Sequence, residues 1–169
     1  MGFLDWLFGQ PKPNYPVIPS KMAQVDKDMI FKGKLPSIDT DEIYLQKGEV
    51  CYYADNARLM SEKIVKDYIN RYWGSSVPGL FQGSRWGGGV SDRKQVGQHV
   101  EQDYFDGTLF VTNKRTIFIE KFAGFDKRHT SISAIESYSN AIQIQYGSKS
   151  YCIFVPDGYL LNDLYEMLH

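Results

Sequence analysis

The sequence predicts a mainly β fold with added helix (β+α): a bent antiparallel barrel or roll, capped by a C-terminal α-helix and preceded by an N-terminal extension. Three stretches carry that expectation. Gly107-Thr108-Leu109-Phe110-Val111-Thr112 and Thr116-Ile117-Phe118-Ile119 are β-branched and aromatic segments meeting at a polar Asn113-Lys114-Arg115 turn. Ile142, Ile144 and Tyr146 alternate with Gln143 and Gln145, and Tyr151, Ile153 and Val155 resume the alternation after a Gly147-Ser148 turn. One face of that hairpin is apolar, the pattern of an antiparallel sheet packed on one side. Leu160, Leu161, Leu164, Tyr165 and Leu168 then form a continuous stripe at helical spacing, with Asp157 placed to cap the helix.

Composition bounds the rest. A chain of 169 residues is long enough for one ordinary domain with an appendage. Its 43% hydrophobic and 23% charged content is that of a globular protein, and the 15% aromatic content favours strands and contact surfaces. A net charge of −1 argues against a dedicated nucleic-acid binder, so no nucleic-acid partner is expected. No apolar run approaches the roughly 20 residues that span a bilayer. The N-terminus lacks a basic region and a small-residue cleavage site, and Trp6 stands where a myristoylation pattern wants Ser or Thr. Cys51 and Cys152 lie in apolar, strand-like stretches and read as reduced buried thiols, with a disulfide between distant strands as the alternative. His99, His129 and His169 have no zinc-like spacing to either cysteine, and no metal or cofactor is expected.

In chain order, Phe3, Leu4, Trp6, Leu7 and Phe8 make a short amphipathic segment that Gly9 would end. So short a helix needs a surface to dock on: its own domain, a sister subunit through which the chain self-associates, or a membrane surface. The membrane reading lacks the basic polar face such anchors carry, since Asp5 is acidic. Pro11, Pro13, Pro16 and Pro19 mark a semi-rigid linker, with an SH3-type ligand as the other reading. Residues 1–45 are thus an amphipathic segment plus a proline-rich extension, and residues 46–169 the domain. Glu49-Val50-Cys51-Tyr52-Tyr53-Ala54 opens it as a strand. Residues 56–73 are open between a helix, because Met60, Ile64, Tyr68 and Tyr72 recur every four residues, and two consecutive strands. Residues 74–89 read as a glycine-rich loop, followed by strands near 90–105, 107–113, 116–123, 128–135, 141–147 and 150–155.

Three stretches carry a family resemblance. Leu45-Gln46-Lys47-Gly48-Glu49-Val50-Cys51-Tyr52-Tyr53 resembles the Leu-x-x-Gly-Glu opening of bacterial and phage pleckstrin-homology-like (PH-like) proteins. The run from Gly107 to Phe118 resembles their Gly-x-Leu-x-x-Thr-x-x-Arg-x-x-Phe hairpin, shared with GRAM domains, and Ile132-Ser133-Ala134-Ile135 with Tyr138 and Ile142 resembles the next strand pair. The resemblance covers about residues 45–168. It implies a bent barrel capped by a helix, no enzymatic activity, and a role in binding phosphoinositides, peptides or partner proteins. Lipid-binding relatives place Lys and Arg in the loop between the first two strands; here the glycine-rich stretch has Arg85, then Arg93 and Lys94.

The candidate contact residues follow. Arg85 and Trp86 sit among glycines that permit close backbone approach, with a plain inter-strand loop as the alternative. No Gly-Lys-Ser/Thr follows, so the loop is not a P-loop. Lys114 and Arg115, with Lys127-Arg128-His129, read either as a basic patch for a phosphate or an acidic partner, or as solvated turn charge. Glu101, Asp103 and Asp106 read as exposed strand residues and an Asp106-Gly107 turn rather than acid–base machinery. No catalytic residue is assigned. The expected function is a non-catalytic, cytoplasmic PH-like module binding another protein. The alternatives are a module peripheral at an anionic lipid surface, and a phage or mobile-element protein that blocks a host factor.

Burying four leucines at about 2 kcal/mol each makes the terminal helix structurally decisive. A chain truncated before Asp157 should lose its dispersed NMR spectrum; a well-folded truncated monomer would refute this.

Overall fold

The computed structural model describes residues 16–78 and 85–169, with the side chains of 64–65, 67–78 and 85–96 outside the description. The segment from Phe3 to Phe8, Pro11 and Pro13, and the tip of the glycine-rich stretch therefore lie outside the described residues. The chain divides into two compact units: residues 16–61 with Tyr104–His169, and Glu62–Asp103.

A short helix α1 (Gln24–Phe31) precedes seven strands: β1 (Cys51–Pro78), β2 (Arg85–Thr112), β3 (Arg115–Ile119), β4 (Phe125–Arg128), β5 (Ile132–Tyr138), β6 (Ala141–Tyr146) and β7 (Lys149–Phe154). A 3-10 turn over His129–Ser131 joins β4 to β5, and helix α2 (Gly158–Leu168) ends the chain. The strands form one sheet in the order β4-β3-β2-β1-β7-β6-β5, and the pairs β1–β7, β2–β3, β3–β4, β5–β6 and β6–β7 are antiparallel.

Residues 56–73 are strand, part of the 28-residue β1. A four-residue recurrence is also an even spacing, so it satisfies the two-residue period of a strand as well as a helical turn. The described part of β1 shows that period, with Cys51, Tyr53, Ala57 and Leu59 buried in alternation. Of the loop expected at 74–89, residues 74–78 belong to β1 and 85–89 to β2, and 79–84 lie outside the described residues. Asp106-Gly107 is not a turn either, but lies inside the 28-residue β2. A Cβ on Gly107 would stand 2.2 Å from the Ile119 carbonyl oxygen, so glycine is there for close strand approach. The strand expected at 128–135 is divided by the 3-10 turn. Glu62–Asp103 is the distal stretch of β1 and β2, where Gln102 Nε2 donates to Glu62 Oε1 at 3.4 Å.

Within the first unit the sheet is strongly curled. Four places separate β4 from β7, about 19 Å in a flat sheet. Yet the Phe125 ring of β4 stacks on Tyr151 of β7 at 4.3 Å and lies 6.4 Å from Tyr146 of β6. The two edge strands, β4 and β5, are joined by only the three residues of the 3-10 turn. Into this curl α2 inserts Leu160, Leu161, Leu164 and Tyr165, all at 2% exposure or less, against Tyr53, Leu109, Val111, Phe118, Ile142, Ile144 and Ile153. Asp157 caps the helix as expected, accepting from the Tyr159 and Leu160 amides at 3.0 Å.

Both faces of β2 are covered at Leu109–Val111. Leu109 and Val111 enter the main core, whereas Phe110 joins Cys51 and Ile117 in a second cluster beneath Ile38, Ile43 and Leu45. Residues 19–45 are therefore packed on the sheet. Ile30 of α1 is 1% exposed in the main core, Asp55 accepts from the Ser20 hydroxyl and the Lys21 amide, and the Ile38 amide donates to the Cys51 carbonyl. Cys51 is buried and Cys152 half-buried, and they are not joined in a disulfide.

Gly158 starts α2 where a Cβ would stand 2.0 Å from the Tyr138 carbonyl oxygen and 2.2 Å from that of Ala141. Both obstacles are backbone, so Gly158→Ala should destabilise the fold by about 2 kcal/mol, read as a lower urea midpoint at unchanged slope.

Candidate functional site

The turn joining β2 to β3 is built by hydrogen bonds that Thr112 and Asn113 make to their surroundings. Thr112 Oγ1 accepts from the Lys114 and Arg115 amides at 3.1 Å and donates to Glu49 Oε1 at 2.7 Å. Asn113 straddles the segment before β1: its Oδ1 accepts from the Val50 amide, its Nδ2 donates to the Gly48 carbonyl, and its own amide donates to the Val50 carbonyl. Gly48 adopts φ +72°, which only glycine takes without strain, and this brings Glu49 under the turn.

Arg115 then meets Glu49. Arg115 Nε donates to Glu49 Oε1 at 2.8 Å and Nη2 to Oε2 at 3.1 Å, a two-pronged pair. Nη1 donates to Asp126 on β4, and Nη2 also to the Tyr44 carbonyl at 2.6 Å. The Glu49 side chain is 0% and the Arg115 side chain 13% exposed. Burial alone would push the Glu49 carboxyl up, but the hydrogen bonds from Arg115, the Gln46 amide and Thr112 outweigh it and hold it down at about 2. Arg115, one of the expected contact residues, thus spends its donors inside the fold.

Beside this node the chain forms a cavity of about 420 Å³. Its wall includes Lys114 and Arg115 from the β2–β3 connection, Arg128 from the end of β4, His129 and Thr130 from the 3-10 turn, and Leu168 and His169 from the end of α2. The strand register explains the gathering: Arg115 lies opposite Arg128 across β3–β4, and the His129 amide donates to the Lys114 carbonyl at 3.0 Å. No Asp or Glu side chain is among the lining residues, and Glu49 and Asp126 pair with Arg115. Lys114 Nζ donates to the Lys47 carbonyl at 2.8 Å, leaving further N–H donors on the ammonium. His129 is 7% exposed, with Nε2 buried and unpartnered. Burial, helped by His169, pulls its pKa down to about 4 against the raising effects of a hydrogen bond to the Arg115 backbone and of Glu49, so the ring is neutral near pH 7.

Of the expected contact residues, then, the structure brings together Lys114, Arg115, Arg128 and His129, with Lys127 on the intervening β4. Arg85, Trp86, Arg93 and Lys94 fall on β2, and their side chains lie outside the described residues. Asp106 pairs with Arg58 at 2.5 Å, and Glu101 Oε1 lies 3.2 Å from His99 Nε2. The sequence reading missed Gln46 and His169 as wall residues, and Glu49 as the partner of Arg115; no local pattern marks residues that only the curl brings together.

A second surface lies at the β5 edge of the sheet. Tyr138 and Tyr159 are about half exposed, and Gly158 brings the start of α2 against the Tyr138 carbonyl. Among the described residues no helix is long and apolar enough to cross a membrane. Comparison with known proteins finds no matching family model, no matching curated protein and no matching solved structure.

The pKa directions set the acid response. His129 is held below its ordinary value, so the unfolded chain takes up its proton first and stability falls between about pH 6.5 and 4. Glu49 is depressed from 4.5 to about 2, so its contribution, about 3 kcal/mol, is present above pH 4.5 and lost as pH falls towards 2. Urea midpoints measured across pH 7 to 2 should show both losses, and Glu49→Gln should remove the lower one. Arg115→Ala leaves a buried carboxylate unpaired and should cost about 3–5 kcal/mol.

Proposed function

We propose that this chain is a non-catalytic binding module of the PH-like type that engages a protein partner by adding an extended segment to the β5 edge beside α2. Seven strands in a curled sheet, with a terminal helix in the curl, support the PH-like bent-barrel reading. The observation that carries the binding mode is the contrast between the two edge strands. β4 is four residues long, with Asp126, Lys127 and Arg128 in it, a short charged edge of the kind that resists pairing. β5 is seven residues long and carries one charge, Glu136. Its bulge between Ile132 and Ala134 confines the regular stretch to Ala134–Tyr138. An unpaired row of backbone donors and acceptors is met by another strand, and Tyr138 and Tyr159 supply aromatic contact area beside it. A lipid surface would leave those backbone groups unmet.

A photo-crosslinking residue placed at Glu136 should give a discrete protein adduct in cells, one at Lys127 none, and Tyr138→Ala with Tyr159→Ala should weaken the Glu136 adduct at least tenfold. Equal adducts from both positions would sink the edge assignment. Co-sedimentation with anionic vesicles at low salt, where electrostatic attraction is strongest, would instead favour the membrane reading.

A further inference from the structure

We propose that the cavity between the β2–β3 turn, the 3-10 turn and the end of α2 binds a soluble phosphate monoester in its singly protonated form, through Lys114, Arg128 and His129. The site is separate from the β5 edge and does not depend on it. Its volume, about 420 Å³, is that of a small-molecule site. Its wall offers cationic side chains and no Asp or Glu side chain, and because Arg115 is already committed to Glu49 and Asp126, the positive charge available to a ligand comes from Lys114 and Arg128. Those two groups select an anion.

His129 selects which anion. It is 93% buried by its 7% exposure, yet Nε2 has no partner. The ring is hydrogen-bonded to the Arg115 backbone, and since Nε2 makes no bond, Nδ1 makes that one. A neutral ring whose Nδ1–H serves a backbone carbonyl presents a bare lone pair at Nε2, which only a donor satisfies. A buried acceptor left unsatisfied is costly, so the matching ligand carries an O–H beside its negative oxygens. A phosphate monoester near its second pKa of about 6 is such a group. Sulfate and carboxylate are not, because near neutrality neither carries a proton. The proton of the complex lies between the phosphate oxygen and Nε2; wherever it sits, the total charge of the pair is the same. The groups facing His129 are Glu49 ahead of β1, the Lys114-Arg115 turn, and Tyr165 and His169 on or beside α2. The His169 ring lies 6.2 Å from that of His129 and is exposed.

The test is a titration of the isotopically labelled full chain with inorganic phosphate and, separately, sulfate at matched ionic strength near pH 6. Phosphate should shift the Lys114 and His129 amides and the His129 ring signals, and should bind at least about tenfold more tightly than sulfate, the equivalent of one hydrogen bond. Lys114→Ala and Arg128→Ala, both at exposed positions, should each weaken phosphate binding about tenfold. His129→Phe should abolish the preference over sulfate; if that variant does not fold, the wild-type preference must still grow as pH falls from 7.5 to 6. Glycerol phosphate in solution should bind as inorganic phosphate does. Equal affinity for phosphate and sulfate, binding indifferent to Lys114→Ala and Arg128→Ala, or binding only to vesicles containing phosphatidic acid would each overturn the assignment.

Discussion

The two-pronged pair between Arg115 and Glu49 is the contact on which the rest of the first unit is hung. It is a nearly buried ion pair, and such pairs survive only when the remaining donors and acceptors are also met. Here they are: Glu49 takes Thr112 and the Gln46 amide, and Arg115 takes Asp126 and the Tyr44 carbonyl. Those partners come from the segment before β1, the β2–β3 turn and β4. One charged node thus ties the covering segment, the central hairpin and an edge strand at a single point. A hydrophobic replacement would pack comparably well, but it would not specify which three pieces of chain meet there.

The second constraint is the curl. A sheet that joins its two edge strands through three residues cannot stay flat, and a curled sheet leaves an interior that side chains of the strands alone do not fill. Helix α2 supplies the missing volume, with Leu160, Leu161 and Leu164 almost wholly removed from water and the Tyr165 hydroxyl bonded to Thr116 at 2.5 Å. Burial raises the Tyr165 pKa well above its ordinary value, so the phenol stays neutral there. The aromatic stack of Phe125 on Tyr151 joins β4 to β7 across the curl. The cationic cavity forms where the short connection between β4 and β5 places Arg128 and His129 next to the β2–β3 turn.

Much of this was legible in the chain. The alternation at Ile142, Ile144 and Tyr146 and the stripe at Leu160, Leu161 and Leu164 gave strand, hairpin and helix correctly, since each reports a local period against a single buried face. Helix and strand both stayed open at Met60, Ile64, Tyr68 and Tyr72, where one spacing serves both periods, and the turn expected at Asp106-Gly107 lies instead within β2. It also treated residues 19–45 as an extension, although Ile30, Ile38, Ile43 and Leu45 pack on the sheet; isolated apolar residues without a period carry no signal of where they dock.

The sequence by itself determined which segments are strands with an apolar face, that a helix ends the domain, and that Lys114, Arg115, Arg128 and His129 are charged or titratable groups at turns. Only the tertiary structure decided what those groups are for. Arg115 became an internal strut because Glu49 arrives beneath it from sixty-six residues away, whereas Lys114, Arg128 and His129 came to share one cavity. Local periodicity records burial along a segment, but the meeting of distant turns depends on how the sheet bends, and that is a property of all seven strands and the helix between them.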